Sequence, residues 1–385
     1  MSAMELKRGW SHSKRSGQLM MLVGCSAVAA YNAWRWRKDR ALAQGLRHNG
    51  ALRRLPLSAT PRVSILVAAW NESTIIGRHI GSVLALRYSD VEYVLCAGGP
   101  DGTYQMAKRY ERPGVIVLEQ QHGEGKQAAI RRCLEQATGN IIFLTDADCL
   151  LDDDCFERTV GPIILGKAEA ASGGFKPLEE QALRSPIVAY RSSADVYASF
   201  QAGPTGLSGS NAAMSRGALD RAGNFRENVS SGTDYHLAKA LLAAGVEISR
   251  VSESRVATQY PERLSDYARQ QRRWLRNVAV LGARYGAYTE VACSLRTSLL
   301  GLGMLLLPLS TPLLGKTAFR IWFLALAHGA LSKVRYLAFA LTLGHVPRPA
   351  SFVRTTAWAV PLTLIDFYSW TQPLLDYVLQ KRRVW

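Results

Sequence analysis

The stretch FLTDADCL, residues 143–150, ends an apolar run with two carboxylates, Asp146 and Asp148, that are one residue apart. Apolar strand residues that stop at such a pair place oxygen ligands at the carboxyl end of a strand, where open α/β sheets bind their ligands. Mg²⁺ and Mn²⁺ bind carboxylate oxygens and keep positions free for substrate phosphates. Because Asp also favours caps and turns, a simple strand terminator is the alternative.

Strand-like and helix-like segments alternate on both sides of this stretch, beginning near residue 61. The apolar pattern predicts strands over residues 63–69, 93–96, 115–118 and 140–145, with helices over 72–86, 103–110 and 125–137. Such alternation indicates βαβ units and a mainly parallel sheet. The predicted fold class is therefore α/β, and the carboxylate pair falls where a ligand cleft is expected.

The chain is strongly basic, and its basic residues flank apolar runs. Its 385 residues carry a formal net charge of +17. A basic face on a soluble domain would indicate a nucleic-acid partner, whereas basic clusters beside apolar runs indicate anionic lipid. The second pattern is present, so we expect a membrane and no nucleic acid as partner. Six cysteines without any C-x-x-C spacing indicate reduced thiols rather than a disulfide framework or a zinc site.

Four apolar runs are candidates for membrane helices. Residues 16–34 and 297–314 contain no charged residue and are long enough to cross a bilayer. Residues 321–346 and 355–377 are apolar but contain charges, which within a bilayer usually face protein or a partner charge. The basic residues after the first run place the α/β domain on the cytoplasmic side. We therefore expect an integral membrane protein with its α/β domain on the cytoplasmic face.

These features divide the chain into four segments. Residues 1–60 form a transmembrane anchor and basic linker, 61–262 the α/β domain, 263–288 an amphipathic interfacial helix, and 289–385 a region with two to three spans. In the third segment apolar residues recur at three- and four-residue steps, and arginines lie largely on the other side. Such a helix can lie flat on an anionic membrane, with an ordinary surface helix as the alternative.

Seven short motifs follow one another between about residues 61 and 281: VSILVAAWNES, GGPDGT, HGEGK, TDAD, SGSNAAM, SGTD and QQRRW. In this order they resemble the family 2 glycosyltransferases of the GT-A fold, especially the membrane-embedded branch of cellulose, chitin and hyaluronan synthases and ceramide glucosyltransferase. The resemblance implies a metal-dependent, inverting transfer of a sugar from a nucleotide-sugar, with Mg²⁺ or Mn²⁺ as cofactor. It also implies a lipid, lipid-linked or polysaccharide acceptor at the membrane.

Four motifs carry the expected donor side of the site. Asn71 and Glu72 close the first strand, where the nucleoside of the donor could be read; Asn71 could instead cap the next helix. Lys126 follows two glycines at a helix start, a place that suits an anionic diphosphate, with a solvated lysine as the alternative. Asp148 is expected to contact the cation directly, and Asp146 to lie nearer the ribose or a metal-bound water.

The motif GGPDGT departs from the resemblance. The family usually has two adjacent aspartates just after the second strand, and one of them contacts the base. Those positions correspond here to Ala97 and Gly98, and only Asp101 remains. The base contact has either moved to Asp101 or been lost, so a UDP-sugar is the expected donor only by resemblance.

The remaining motifs carry the expected acceptor side. Asp234 is the expected base, because a carboxylate near an acceptor hydroxyl can take its proton; a helix cap, or His236 as base, are the alternatives. The family's Glu-Asp pair is here Thr233-Asp234. The residues expected to bind the diphosphate or the acceptor are Gln270, Arg273 and Trp274, which share a helix face, and Gly209, Ser210 and Asn211.

Three functions stay open at this point. Relatives that thread a polymer surround it with more helices than the three or four predicted here, so a single transfer is favoured over processive polysaccharide synthesis. The missing aspartate pair and Thr233 support a third hypothesis, a non-catalytic membrane protein that senses a nucleotide or serves as a scaffold.

Overall fold

The structure is a computed structural model that describes residues 3–49, 60–201, 206–227, 229, 231–348 and 352–378. Within these residues the strands are β1 (Val63–Trp70), β2 (Val91–Gly98), β3 (Val115–Glu119), β4 (Ile141–Leu144), β5 (Cys149–Leu150), β6 (Ala170–Pro177), β7 (Ala212–Ser215) and β8 (Ile248–Thr258). They form one sheet in the order β3-β2-β1-β4-β7-β6-β8-β5.

The helices surround this sheet and continue beyond it. Those of the α/β part are α2 (Ile76–Leu84), α3 (Thr103–Lys108), α4 (Gly125–Gln136), α5 (Asp153–Ile164), α6 (Glu179–Arg184), α7 (Pro186–Gln201), α8 (Arg216–Arg221) and α9 (Thr233–Ala243). The others are α1 (Ala3–Asn49), α10 (Leu264–Arg284), α11 (Tyr288–Leu306), α12 (Thr311–Leu314), α13 (Lys316–Leu343), α14 (Phe352–Ala357) and α15 (Ala359–Val378).

The α/β class is confirmed, but the sheet is mixed rather than mainly parallel. Strands β3, β2, β1 and β4 run parallel to one another, as the alternating pattern predicts. Strand β7 is antiparallel to both β4 and β6, and β5 is antiparallel to β8. The difference arises because β7 enters the sheet between β4 and β6 without a regular βαβ crossover, which the loop-rich sequence after residue 154 does not reveal.

The core lies on both faces of the sheet. Because neighbouring side chains of a strand point to opposite faces, Ile65 and Val67 pack with Ile76 and Ile80 of α2 on one face. Leu66 points the other way and packs in the cluster that includes Ile130 of α4. All six side chains are buried. The parallel strands are thus covered on both faces, and their polar carboxyl ends are left to form a site.

No helix in the described part of the chain is long and apolar enough to cross a membrane. The predicted spans therefore have no such helix among the described residues. The charge-free run 297–314 is divided between two helices, since α11 ends at Leu306 and α12 begins at Thr311. The run 16–34 lies within α1, where polar residues such as Gln18 and Asn32 interrupt the apolar sequence.

Three charged residues of these two runs, Lys333, Arg335 and Asp366, take part in ion pairs between helices. Lys333 of α13 forms an ion pair with Asp366 of α15. Tyr267 of α10 donates a hydrogen bond to the same carboxylate, with its Oη 2.6 Å from Asp366 Oδ1. Arg335 of α13 pairs with Asp39 of α1. These polar contacts hold α1, α10, α13 and α15 together.

Candidate active site

A cleft of about 970 Å³ opens where β1, β3 and β4 end. Because the carboxyl ends of parallel strands meet at one edge of a sheet, the loops that follow them converge there. Five residues predicted for the site line this cleft: Glu72, Lys126, Asp146, Asp148 and Arg273. The structure thus brings together residues that are up to about two hundred positions apart in the sequence.

The carboxylate pair lies on a tight turn. The Cys149 N–H donates to the Asp146 carbonyl oxygen at 3.1 Å, which closes the turn after β4. Ligand atoms of Asp146, Asp148 and Cys149 all lie within 4.8 Å of one another. Burial and the neighbouring Asp146 charge raise the pKa of Asp148 to about 6. Two carboxylates that repel each other at this distance suit a divalent cation that prefers oxygen.

The thiol of Cys149 fits this cation less well than the carboxylates do. Burial, followed by the charges of Asp148 and Asp146, raises its pKa well above the ordinary value. Its Sγ lies 3.6 Å from Asp148 Oδ1 and donates to it. A protonated thiol is a poor ligand for Mg²⁺ or Mn²⁺. Asp146 and Asp148 are therefore the residues that would hold the metal.

Lys126 faces the carboxylates from the first turn of α4. Its Nζ forms an ion pair with Asp146. Desolvation lowers the pKa of Lys126, but the charges of Asp146, Asp234 and Asp148 outweigh it and hold the pKa above its ordinary value. Gly125, where α4 begins, adopts the left-handed φ of 75° that a glycine tolerates best. The helix start therefore combines a lysine charge with free backbone donors.

A third carboxylate, Glu72, adds negative charge to the cleft. Burial, and then the charges of Asp148, Asp146 and Asp101, raise the pKa of Glu72 to about 7. Its backbone N–H donates to Thr103 Oγ1 at 2.8 Å, which fixes the loop after β1 to the loop after β2. The acidic lining residues, Glu72, Glu124, Asp146 and Asp148, outnumber the basic ones, Lys126 and Arg273, so the cleft attracts cations.

Asp234 is exposed and lies near Lys126, outside the lining of the cleft. It is in the first turn of α9 and lines a small cavity with Lys126, Thr145 and Gly209. A Cβ atom at Gly209 would lie 3.1 Å from Asp234 Cβ, so the glycine lets the SGSN loop approach the carboxylate. The residue in the cap position of α9 is Gly232. Asp234 therefore does not cap the helix, and its Oδ1 accepts a local hydrogen bond from the Tyr235 N–H at 2.9 Å.

The Q-x-x-R-W residues are only partly in the cleft. Arg273 is exposed and lines it. The Trp274 ring packs instead against Arg191 of α7, whose guanidinium carbon lies 4.4 Å from the ring centroid. Arg191 also pairs with Asp195 at 2.6 Å. Gln270 lies outside the cleft lining, and its Oε1 has no hydrogen-bond partner among the described residues.

Residues 61–277 match the sequence profile described as glycosyltransferase like family 2, over more than half of the chain. The chain belongs to glycosyltransferase family 2. A 94-residue segment is 31% identical to poly-beta-1,6-N-acetyl-D-glucosamine synthase of Staphylococcus aureus, over 24% of this chain and 23% of that protein. A 113-residue segment is 28% identical to glycosyltransferase AglE of Haloferax volcanii, over 28% of this chain and 36% of that protein. This chain therefore spans about a quarter to a third of the length of these relatives.

A solved structure shares the fold over nearly the whole chain. Mannosyltransferase PcManGT from Pyrobaculum calidifontis, solved in complex with GDP-Man and Mn²⁺, has a TM-score of 0.51 and 19% sequence identity. The alignment covers 92% of this chain and 99% of that protein. The predicted GT-A-like fold and the family are thus confirmed, as is the prediction of an enzyme of this family. Membership of the membrane-embedded branch stays a prediction.

The departure from the family pattern at Gly98 has a steric basis. A Cβ atom there would lie 2.9 Å from the Trp70 ring and closer still to the carbonyl oxygen of Gln120. The Asp101 carboxylate accepts hydrogen bonds from the Ser73 N–H at 2.9 Å and from Thr103 Oγ1 at 2.6 Å. The roles predicted for Asn71 and Asp101 in base binding are not tested by this geometry.

Asn71 has a backbone role rather than that of a helix cap. Its φ is 61°, and the residue at the cap position of α2 is Ile75. The Asn71 N–H donates to the Gly98 carbonyl oxygen at 3.2 Å. This bond joins the ends of β1 and β2, and it places Asn71 beside the cleft without making it part of the lining.

The structure places Asn211 in the core. Its Nδ2 donates to the Gly174 carbonyl oxygen and to Ser254 Oγ, each at 3.0 Å, and its Oδ1 accepts from Thr159 Oγ1 at 2.9 Å. Ser210 is nearly buried as well. Of the predicted SGSN residues, Gly209 alone contacts the site, through its approach to Asp234.

Trp70, Gln120 and His122 are among the cleft-lining residues that the sequence interpretation did not assign to the site. The rings of Trp70 and His122 meet edge to face, with their centroids 5.9 Å apart. Trp70 is the last residue of β1, and Gln120 and His122 lie within three residues of the end of β3, at the edge where the carboxylates lie. Their position at the ends of β1 and β3 was the available signal. His236, the alternative base, lies outside the cleft and contacts Tyr285 Oη.

Proposed function

We propose that this chain transfers a sugar from a nucleotide-sugar to an acceptor hydroxyl at a membrane surface, with inversion at the anomeric carbon. The observation that supports this most directly is the single cleft that holds Asp146, Asp148, Lys126 and Arg273. It combines ligands for a cation with two positive side chains suited to a diphosphate. A UDP-sugar is the first donor to test, and a GDP-sugar is the second because PcManGT was solved with GDP-Man.

On the donor side, Asp146 and Asp148 would hold Mg²⁺ or Mn²⁺, which neutralises charge on the leaving nucleotide when bound. The chain's own residues bind and orient the rest of the diphosphate. Lys126 and the first N–H groups of α4 favour an anion at the helix start. Arg273 approaches the same cleft from α10 and offers a planar guanidinium for phosphate oxygens.

On the acceptor side, we propose Asp234 as the base. Its carboxylate accepts the proton of the acceptor hydroxyl as that oxygen bonds to the anomeric carbon. The bond between the anomeric carbon and the diphosphate oxygen breaks on the opposite face, which inverts the configuration. Lys126 lies near both Asp234 and the carboxylate pair, so it is close to the donor side and the acceptor side of the site.

We propose the cytoplasmic face of a membrane as the location, and a lipid or lipid-linked acceptor. Large apolar side chains on α11, α12 and α13 are exposed, among them Leu299 at 53%, Leu313 at 89% and Phe319 at 51%. Exposed apolar surface of this kind supports contact with lipid or protein. Exposed basic residues on α1, including Arg37 and Arg40, favour anionic lipid.

A processive polysaccharide synthase is the second candidate. The segment 31% identical to a poly-beta-1,6-N-acetyl-D-glucosamine synthase favours it, although that match covers 24% of this chain. Product mass separates the candidates, because a single transfer adds one sugar and processive synthesis gives a ladder of lengths.

The test is to incubate purified protein and native lipid with a panel of nucleotide-sugars and Mn²⁺ or Mg²⁺, and to measure nucleotide release and product mass. Asp148→Asn and Asp234→Asn should each reduce release by about 100-fold or more. Asp90→Asn is the matched control, because Asp90 is half-exposed, pairs with Arg62 and lies outside the cleft lining. Wild-type turnover in Asp148→Asn or Asp234→Asn would show that the assigned role is wrong. No release by the wild type with any donor would favour the non-catalytic hypothesis.

A further inference from the structure

Two residues of helix α2 form hydrogen bonds with the segment that directly follows the carboxylate pair. His79 is fully buried, and its Nδ1 lies 2.6 Å from the carbonyl oxygen of Cys149. Since a carbonyl oxygen only accepts, Nδ1 must carry the hydrogen and donate it. Three residues later, Ser82 Oγ accepts from the Leu151 N–H at 3.0 Å and donates to the His79 carbonyl oxygen at 2.7 Å.

Cys149 in turn forms hydrogen bonds with both residues of the carboxylate pair. Its N–H closes the turn on the Asp146 carbonyl oxygen at 3.1 Å, and its Sγ donates to Asp148 Oδ1 at 3.6 Å. On its other side it pairs with Thr258 of β8. A shift of the Cys149 carbonyl would therefore move the turn that sets the separation of Asp146 and Asp148. That separation decides whether one cation can be bound by both.

The chemistry of His79 indicates that the hydrogen bond from its Nδ1 to the Cys149 carbonyl oxygen is its main polar contact. Burial lowers the pKa of His79 to about 4, so the ring is neutral at physiological pH. Nε2 has no hydrogen-bond partner among the described residues, and the ring packs on Tyr93 with centroids 5.8 Å apart. Burying a polar ring costs free energy unless it is hydrogen-bonded. Leucine would fill such a core position without that cost, but it could not hold Cys149.

We propose that His79 is a positioning residue for the metal-binding turn: its N–H bond to the Cys149 carbonyl holds Asp146 and Asp148 in the geometry that one divalent cation requires. Ser82 supports the same segment from the next turn of α2. The inference rests on the proposed function only in taking this pair as the cation site. Residues that orient metal ligands in this way typically change metal affinity by about 10- to 100-fold when removed.

The test measures Mn²⁺ binding to the full chain by electron paramagnetic resonance of the free ion, with and without UDP. His79→Leu removes the donor and should weaken Mn²⁺ binding by about 10-fold or more. His79→Asn keeps an N–H near the position of Nδ1 and should bind Mn²⁺ close to wild type. Tyr93→Phe is the matched control, because it removes a buried hydroxyl beside His79 that has no partner among the described residues.

Wild-type-like Mn²⁺ affinity in His79→Asn would distinguish a positioning role from a packing role. If His79 acted only by packing, Mn²⁺ affinity would depend on the apolar volume of the side chain and not on its N–H group. Wild-type Mn²⁺ affinity in a folded His79→Leu would overturn the inference, and so would equal losses in the Leu and Asn variants. If His79→Leu does not fold, Ser82→Ala decides the matter, because it removes the acceptor of the Leu151 N–H and should also weaken Mn²⁺ binding. A wild type that binds no Mn²⁺ in either condition would overturn the cation site itself, and the proposed function with it.

Discussion

Gly98→Ala should destabilise the protein, and Gly98→Asp should destabilise it further, although the family usually carries an aspartate in this region. A new Cβ atom would lie 2.9 Å from the Trp70 ring and closer to the Gln120 carbonyl oxygen. That backbone cannot move aside without disturbing the register in which Ala97 pairs with Glu119. Overpacking of this kind costs about 1–3 kcal/mol. At about 2–4 °C per kcal/mol, a 2 kcal/mol loss lowers the melting temperature by about 4–8 °C.

The assay is thermal unfolding together with titration of UDP in the presence of Mn²⁺. Gly81→Ala is the matched control, because Gly81 lies in α2 with nothing within 4 Å of its Cβ position, and alanine there should add about 0.5–1 kcal/mol of stability. Gly98→Asp should bind UDP less tightly than wild type, since it displaces two residues of the cleft wall. A Gly98→Asp variant that melts at the wild-type temperature and binds UDP more tightly would refute this reasoning.

Three further outcomes test the donor site and its support. Lys126→Met should weaken UDP binding in calorimetry by about 10-fold or more, because a charged hydrogen bond contributes about 1.5–3 kcal/mol; Arg131→Met, on the same helix outside the cleft lining, should not. EDTA should stop nucleotide release and added Mn²⁺ should restore it, whereas release without free divalent cation would contradict a cation site. Glu92→Gln should cost about 2–4 kcal/mol in thermal unfolding, since Glu92 is buried and accepts hydrogen bonds from Ser64 and from the backbone of residues 138–139. Burial raises the pKa of Glu92, but these hydrogen bonds outweigh burial and hold the pKa below its ordinary value. The stabilisation by Glu92 is therefore complete above the unfolded pKa of about 4.3 and is lost as the pH falls through the lower pKa of the folded protein. If the wild type is more stable than Glu92→Gln by the same amount at about pH 3 as at neutral pH, the prediction is wrong.

The first half of the sheet and the donor side of the site were predictable because their signals are local. An apolar run that ends in polar residues defines a strand and its carboxyl edge in a single segment, as for β1 with Glu72 and β4 with Asp146. Glycines beside Lys126 mark a helix start in the same way. Parallel strands then bring these edges together, so the cleft follows from strand order.

The acceptor side was less predictable because its contacts join distant segments. Asn211 resembles a family loop residue, yet its amide is used by Thr159, Gly174 and Ser254, which lie 52, 37 and 43 positions away. Trp274 has a motif position, but its ring is covered by Arg191 from α7. None of these four partner residues is marked by any periodic pattern. Motif position identifies a candidate residue, whereas its burial depends on segments that the motif does not include.

The helices beyond the family match also influence the site. The profile match ends at residue 277, inside α10, which carries Arg273. Six residues before Arg273, Tyr267 donates to Asp366 of α15, and that carboxylate pairs with Lys333 of α13. Removing one partner of a buried ion pair leaves an uncompensated charge, which is strongly destabilising. The position of Arg273 over the cleft therefore depends on charges in α13 and α15, which connects the sugar-nucleotide site to the helices whose exposed apolar surface we propose faces lipid.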